Sequence, residues 1–411
     1  MENLGLKHLI CFDTDITDSE IIPFNTLLKE GYTLLEKNDT SFVDATIDSK
    51  AGSMLLFTSG TTSNSKAVEL SHYNLCSNVI SMSAVLEYRE DDVILSFLPI
   101  HHTFECTVTF LKGIYSGSCI AICEGLRYIL PDLVTYKVSV MVSVPLVLEN
   151  MYKKISEQVA LSGNTITNEQ ILASLGGKLR IAIVGAAALG RDIILGFKEY
   201  GILIAQGYGL TETSPVLSVE TYKNSNAGSI GYALPGIEIE IDNPDSTGLG
   251  EIICKGPNVM LGYYNNPEAT KEVLKGDWFY TGDLGYVDDD GFLFISGRKK
   301  NVIVLKNGKN IFPEEIEVLL NNHPLVAETF VYPATSRNGN TEIRAKIVYN
   351  KEAADGMSKE QLEEAFEQHR KAVNKTLPLY KFIRQVTISD EPLIKTTTNK
   401  IKRNEEMKKI I

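Results

Sequence analysis

The chain has 411 residues, 44% apolar and 22% charged, an ordinary globular composition that excludes a fibrous or low-complexity protein. That length is more than one core usually serves, so two or more domains are expected. The net charge of −12 argues against nucleic acid as a partner, and it is unevenly spread: from Arg298 onward 21 Lys and Arg stand against 15 Asp and Glu, while the preceding residues carry 19 against 37.

A basic tail beside an acidic body is compatible with an anionic ligand held between them, and equally with ordinary surface variation. Met1-Glu2-Asn3-Leu4-Gly5 has neither the basic nor the apolar stretch of a secretory signal. The longest apolar run, 138–148, is too short to span a bilayer and contains serines. A cytoplasmic protein is expected, with peripheral membrane contact at most. The six cysteines form no Cys-x-x-Cys pair and no histidines stand at metal spacing, so all six read as structural core residues, Cys119 and Cys123 on a buried strand.

In chain order, Leu9 begins a short strand without a preceding partner. Apolar β-rich runs at 53–58, 93–98, 119–123, 138–144, 179–184 and 202–206 then alternate with amphipathic stretches at 72–86 and 146–159. Such alternation predicts an α/β fold with a parallel-rich sheet covered by helices. From 228 to 297 short strands separated by Gly, Asp and Pro turns predict an antiparallel β subdomain, with Asp289-Asp290-Gly291 as a hairpin turn. A small α+β unit follows: a strand at 302–305, a helix opening at Pro313 with Glu314, Glu315 and Glu317 near its N-terminus, strands at 326–332 and 344–349, and an amphipathic helix over 359–373. The domains are set at 1–297 and 298–411, with the basic, Gly-flanked junction as a hinge.

Four segments carry chemistry. Thr58-Ser59-Gly60-Thr61-Thr62-Ser63-Asn64-Ser65-Lys66 sits between two strands. Its hydroxyls and backbone N–H groups suit phosphate oxygens, and Lys66 adds a point charge; read alone it also fits a polar surface turn. It is not a Walker A loop, which needs Gly before the Lys and Ser or Thr after it. Gly207-Tyr208-Gly209-Leu210-Thr211-Glu212 follows a buried strand, at the end of a sheet where ligands bind. There Tyr208 can face a purine, Thr211 can reach a phosphate, and Glu212 can hold Mg²⁺. Asp283, at a strand end in Tyr280-Thr281-Gly282-Asp283, can accept from ribose hydroxyls, with Arg298 in support. Lys400 stands in Thr398-Asn399-Lys400 near the end of the chain.

Taken together and in this order, these motifs resemble the adenylate-forming superfamily of acyl-CoA synthetases, peptide-synthetase adenylation domains and luciferases, from about residue 50 onward. Leu98-Pro99-Ile100-His101-His102-Thr103-Phe104-Glu105 is similar to the acyl-site motif of the long-chain fatty acyl-CoA synthetase branch, with His102 at its histidine. The resemblance implies ATP, Mg²⁺ and coenzyme A as ligands and a fatty acid as substrate. Thr58, Ser59, Gly60, Thr61, Thr62 and Lys66 would hold phosphates, with Glu212 as the metal ligand. Gly185, Ala186, Tyr208 and Gly209 would border adenine and acyl group, and Asp283 and Arg298 would hold the ribose. Lys300 would be the pivot, Gly308 and Lys309 would enter for thioester formation, and Lys400 would be the catalytic lysine, beside Thr211, Glu212 and His102. The phosphate loop departs from the family pattern at Ser63, Ser65 and Ala67, Asn399 replaces the Gly before the lysine, and the first subdomain is shortened. Two alternatives stand beside the fatty acid–CoA ligase: a ligase for aryl acids or for acyl carrier protein, and a truncated non-catalytic paralogue that binds nucleotide or acyl groups.

Overall fold

The computed structural model describes residues 8–12, 21–58, 65–185, 189–221, 225–305, 308–336, 338–395 and 400–410. They fall into two compact units, 1–49 and 50–411. In the first, the strand Leu9–Cys11 pairs in parallel with Ile21–Pro23, so its partner follows it in the chain. Pro23 then fixes the backbone ahead of the amphipathic helix Phe24–Glu36, none of whose residues is buried.

In the second unit, Gly52–Phe57 and Ala67–Ser71 form an antiparallel hairpin, Phe57 opposite Ala67, and Gly262–Tyr263 adds a third strand beside Ala67–Ser71. A seven-stranded sheet follows in the spatial order Tyr232–Ala233, Val216–Val219, Leu203–Gly209, Ile181–Val184, Val140–Ser143, Val93–Ser96, Cys119–Ile122. The last five strands are parallel. Side chains alternate between two cores: Ile94, Val140, Val142, Ile181 and Ile183 join one, and Leu95, Met141, Ala182 and Val184 the other. Helix His72–Ser83 covers the first face with Leu75, Val79 and Met82. Its start is fixed by a capping box in which Ser71 accepts from the Asn74 N–H and Asn74 returns the bond. Helices Pro145–Leu161 and Arg191–Glu199 cover the opposite face. Such two-sided burial is what near-continuous apolar strands require.

Cys119–Ile122 is the edge strand of this sheet, and Cys119 is exposed. The expectation of six core cysteines therefore fails: Cys76 is exposed as well, and Cys254 alone of the six is buried.

The antiparallel subdomain is built on the long strand Trp278–Val287, flanked by Gly250–Lys255 and Leu293–Arg298. Asp288-Asp289-Asp290-Gly291 turns as expected, with the Gly291 N–H donating to the Asp288 carbonyl and Gly291 at φ 86°. Residues beyond 302 enclose cores of their own. There Val326–Thr335 and Thr341–Tyr349 pair antiparallel, and a strand missed in the sequence, Ile383–Ser389, adds in parallel, with helices Pro313–Asn321 and Lys359–Thr376 packed alongside. Among the described residues no helix is long and apolar enough to cross a membrane.

The segment Phe104–Leu111, after His102, is a π-helix that the sequence pattern does not announce. At its end Lys112 is fully buried, its Nζ donating to the Ser83 hydroxyl at 3.1 Å and lying 4.1 Å from the centre of the Tyr88 ring. Burial, with the charge of Arg180 adding to it, pushes the Lys112 ammonium down to about 8. The folded value lies below the ordinary 10.5, so the unfolded chain binds the extra proton between the two. Stability therefore rises with pH across that window, and the cost of the buried charge is fully present below about 8. Replacing Lys112 with Met is expected to raise the unfolding free energy near pH 7 by about 2 kcal/mol in urea denaturation. That advantage should shrink as the pH is raised through the window; no gain at neutral pH would refute the account.

Candidate active site

The loop 58–66 hangs from a closed neck. The Thr58 N–H donates to the Lys66 carbonyl at 2.9 Å, and the Ser65 hydroxyl donates to the Thr58 carbonyl at 2.7 Å. Thr58 and Lys66 are thus side by side at the end of the hairpin, while Ser59, Gly60, Thr61 and Thr62 lie outside the described residues. The Lys66 ammonium lies 4.5 Å from the centre of the Tyr263 ring, a cation–π contact.

The strand Leu203–Gly209 leads into a single 3₁₀ turn, Thr211–Thr213. This turn is locked from three sides. The Thr213 hydroxyl donates to the Pro215 carbonyl at 2.6 Å, the Leu210 N–H donates to the Thr213 hydroxyl at 3.0 Å, and Asn258 Nδ2 donates to the Thr213 carbonyl at 2.8 Å. Thr211 and Glu212 are half-buried on it, and Glu212 Oε1 accepts the Tyr263 hydroxyl at 2.9 Å. At Gly209 a Cβ would come within 1.8 Å of the Pro215 carbonyl oxygen, so only glycine fits.

Asp283 is not at a strand end but inside Trp278–Val287, where the ladder sets it opposite Arg298. Arg298 Nε lies 2.7 Å from Asp283 Oδ1, and the buried Tyr208 hydroxyl donates to Oδ2 at 2.8 Å. Tyr208, expected to face a purine, also props the carboxylate expected to hold the ribose. Burial opposes the Arg298 charge most strongly, but Asp283, Tyr208, Glu212 and Glu314 together outweigh it and hold the guanidinium above its usual value. Below the pair, Lys299 Nζ bonds to Glu251 at 2.8 Å, and the Gly282 N–H donates to the same carboxylate at 3.1 Å. A cavity of about 350 Å³ opens here, lined by Thr281, Gly282, Arg298, Lys299 and Lys300.

Lys300 follows in a 3₁₀ turn, Lys299–Asn301. Burial lowers its ammonium below the usual value, and the positive charges of Arg298, Lys400 and Lys66 lower it further. Lys400 directly precedes Ile401, which forms an antiparallel bridge with Lys395. The Lys400 side chain is solvent-exposed, although protein atoms crowd around it. Burial and then Arg298 push it down, while Asp283 and Glu212 pull it up. Lys300 therefore lies within electrostatic reach of Lys66, Arg298 and Lys400, and Lys400 within reach of Arg298, Asp283 and Glu212. His102 is half-buried and accepts the Phe104 N–H at Nδ1, at 3.3 Å. Burial, then the Lys400 charge, lowers its basicity, which favours the neutral imidazole. Phe104 packs on Gly185, where a Cβ would meet the ring at 3.0 Å; Ala186 lies outside the described residues. Gly308 turns at φ 78°, and the Lys309 ammonium lies 4.3 Å from the centre of the Tyr380 ring.

The sequence reading missed Tyr263, whose only signal is the aromatic pair in Gly262-Tyr263-Tyr264 ahead of Pro267. It also missed a buried polar cluster under the site. Gln206 accepts the Leu189 N–H at 3.2 Å and donates to the Ser229 carbonyl at 3.0 Å, and Glu220 accepts from the Asn226 N–H and the Ser229 hydroxyl. A buried Gln or Glu carries no pattern that distinguishes it from a surface one.

A family model described as AMP-binding enzyme matches residues 11–264, and one described as AMP-binding enzyme C-terminal domain matches 300–410. Among curated proteins, the long-chain-fatty-acid–CoA ligase FadD15 of Mycobacterium bovis is 31% identical over 314 residues, 67% of this chain and 51% of that protein. A probable 4-coumarate–CoA ligase 2 of Dictyostelium discoideum is 35% identical over 77% of this chain and 56% of its own length. The long-chain-fatty-acid–[acyl-carrier-protein] ligase AEE15 of Arabidopsis thaliana is 29% identical, with 80% and 55% covered. The chain thus spans about half the length of the curated relatives it matches. Among solved structures, ATP-bound MatB from Rhodopseudomonas palustris superposes with a TM-score of 0.71 at 27% identity, covering 89% of this chain and 70% of that one. MenE from Bacillus subtilis with ATP and magnesium gives 0.76 at 25% identity, covering 98% and 80%.

The glycine constraint can be checked directly. Gly209→Ala is expected to lower the unfolding free energy by about 3 kcal/mol. Gly207→Ala, where the nearest atom is an ordinary contact at 3.5 Å, should cost far less. Equal losses in chemical denaturation would count against the close approach to Pro215.

Proposed function

Because this chain belongs to the AMP-binding enzyme family, we propose that it activates a carboxylic acid with ATP and passes the acyl group to a thiol, in the cytoplasm. The observation that carries this reading is the Asp283–Arg298 pair at 2.7 Å, with Lys300 near enough to feel Lys66 and Lys400, and Lys400 near enough to feel Asp283 and Glu212. Such a charge set is suited to a polyphosphate beside a carboxylate.

In the first half-reaction a carboxylate oxygen attacks the α-phosphorus, the bond to the β-phosphate oxygen breaks, and pyrophosphate leaves. Lys400 lies between the two anions and offsets their repulsion. Lys66, with Thr58, Ser59, Gly60, Thr61 and Thr62 of its loop, holds the outer phosphates, and Thr211 reaches the inner one. Asp283, steadied by Tyr208 and Arg298, takes the ribose hydroxyls, and Gly185, Ala186, Tyr208 and Gly209 border the base and acyl group. Glu212 fits Mg²⁺: it is a half-buried carboxylate, the hard oxygen donor such an ion takes. Mg²⁺ there would neutralise phosphate charge. In the second half-reaction the thiol sulfur, its proton lost, attacks the acyl carbonyl and AMP leaves. Residues 298–411 turn about Lys300, withdrawing Lys400 and bringing Gly308 and Lys309 toward the thiol path.

Coenzyme A is the thiol and a long-chain fatty acid the substrate in this reading, supported by the segment around His102 and by the likeness to FadD15. A fatty acid of that kind also brings the protein to membrane surfaces. An aryl acid is the second reading, favoured by the likeness to the 4-coumarate ligase, and an acyl carrier protein is the alternative thiol, favoured by that to AEE15.

Pyrophosphate exchange with palmitate, octanoate, 4-coumarate and benzoate tests the class. Exchange greatest with palmitate is expected, and ATP binding without exchange for any acid would instead indicate a binding protein. Lys400→Ala should reduce exchange by about 10³-fold or more while sparing thioester formation from supplied acyl-adenylate; equal loss of both steps would refute the assigned role.

A further inference from the structure

Tyr263 has no part in the reaction as drawn, yet it touches both ends of the phosphate site. It is 8% exposed and lies on the two-residue strand beside Ala67–Ser71, whose preceding residue is Lys66. Its backbone is held on all sides: its N–H donates to the Thr270 hydroxyl at 2.9 Å, the Tyr264 N–H donates to the Ala67 carbonyl at 2.8 Å, and the Met260 N–H donates to the Glu212 carbonyl at 2.9 Å. From this fixed base the hydroxyl reaches Glu212 Oε1 at 2.9 Å while the ring lies 4.5 Å from the Lys66 ammonium.

We propose that Tyr263 is a positioning residue that couples the metal-binding carboxylate Glu212 to the phosphate-binding ammonium Lys66. The inference rests on the ATP and Mg²⁺ reading above. The hydroxyl fixes the Glu212 rotamer and occupies Oε1, which presents Oε2 to a cation. The ring face holds Lys66 over the loop neck. Neither side chain then has to be ordered when nucleotide and cation arrive, and that ordering cost is removed from binding.

The two contacts can be separated by substitution. Tyr263→Phe keeps the ring and removes the hydroxyl; Tyr263→Leu removes both. Calorimetric titration of the full chain with ATP is run in EDTA and again with Mg²⁺. For Tyr263→Phe, affinity in EDTA should stay within about twofold of the unaltered protein, while the gain on adding Mg²⁺ falls about tenfold. For Tyr263→Leu, affinity in EDTA should also fall, by about threefold. An unchanged Mg²⁺ gain in Tyr263→Phe, or equal losses in EDTA for both variants, overturns the coupling. Absence of ATP binding by the unaltered chain would overturn the nucleotide reading itself, and this inference with it.

Discussion

Four cations cannot share one cleft unless carboxylates stand among them and are held there. Like charges about 4 Å apart repel by about 1 kcal/mol in water and about 4 kcal/mol near a protein surface. Asp283 and Glu212 meet this requirement, and each is fixed by a tyrosine from a different sheet: Tyr208 from the parallel sheet and Tyr263 from the small three-stranded one. The antiparallel ladder supplies the Asp283–Arg298 pair through its register, the hairpin supplies Lys66, and the terminal portion supplies Lys400. The site is where these separately built layers meet, and the electrostatic balance requires all of them.

The floor of the site is polar as well. Gln206 is on the strand that carries Tyr208 and Glu220 follows the neighbouring strand, and their bonds to Leu189, Asn226 and Ser229 tie loop backbone to the sheet. Buried groups of this kind are costly unless satisfied, and when satisfied they allow one arrangement and few others. The elements proposed to stay fixed in catalysis are therefore bonded into the sheet. Lys309, proposed to move, is instead found against Tyr380 in the terminal portion.

Much of this architecture was legible in the sequence. Runs such as 138–144 and 179–184 mark buried strands because apolar residues without polar alternation need cover on both faces, and the ordered motifs singled out Lys66, Glu212, Asp283, Arg298 and Lys400 as candidates. What was not legible depends on the third dimension. Asp283 looked like a strand end because Gly282 precedes it, whereas Gly282, at φ 72°, is accommodated inside the ladder. The exposure of Cys119 follows from its strand being at the edge, which the local pattern does not encode. Tyr263 is 51 residues from Glu212, too far for any spacing rule to join them. Ile383–Ser389 mixes polar and apolar residues because only part of it is covered.

The uneven charge distribution has a consequence for encounter rates. A polyanionic ligand approaching a molecule of net charge −12 is repelled at long range and attracted only once it nears the cationic cleft. Dissolved salt screens the first field over a Debye length of about 8 Å at physiological ionic strength, while contacts at a few ångströms in a partly dry cleft are screened far less. Moderate ionic strength therefore lifts the outer barrier before it erodes the inner well. On the proposed reading, association with a polyphosphate would pass through a maximum with added salt, unlike that of a uniformly basic phosphate-binding protein, whose association slows from the first increment.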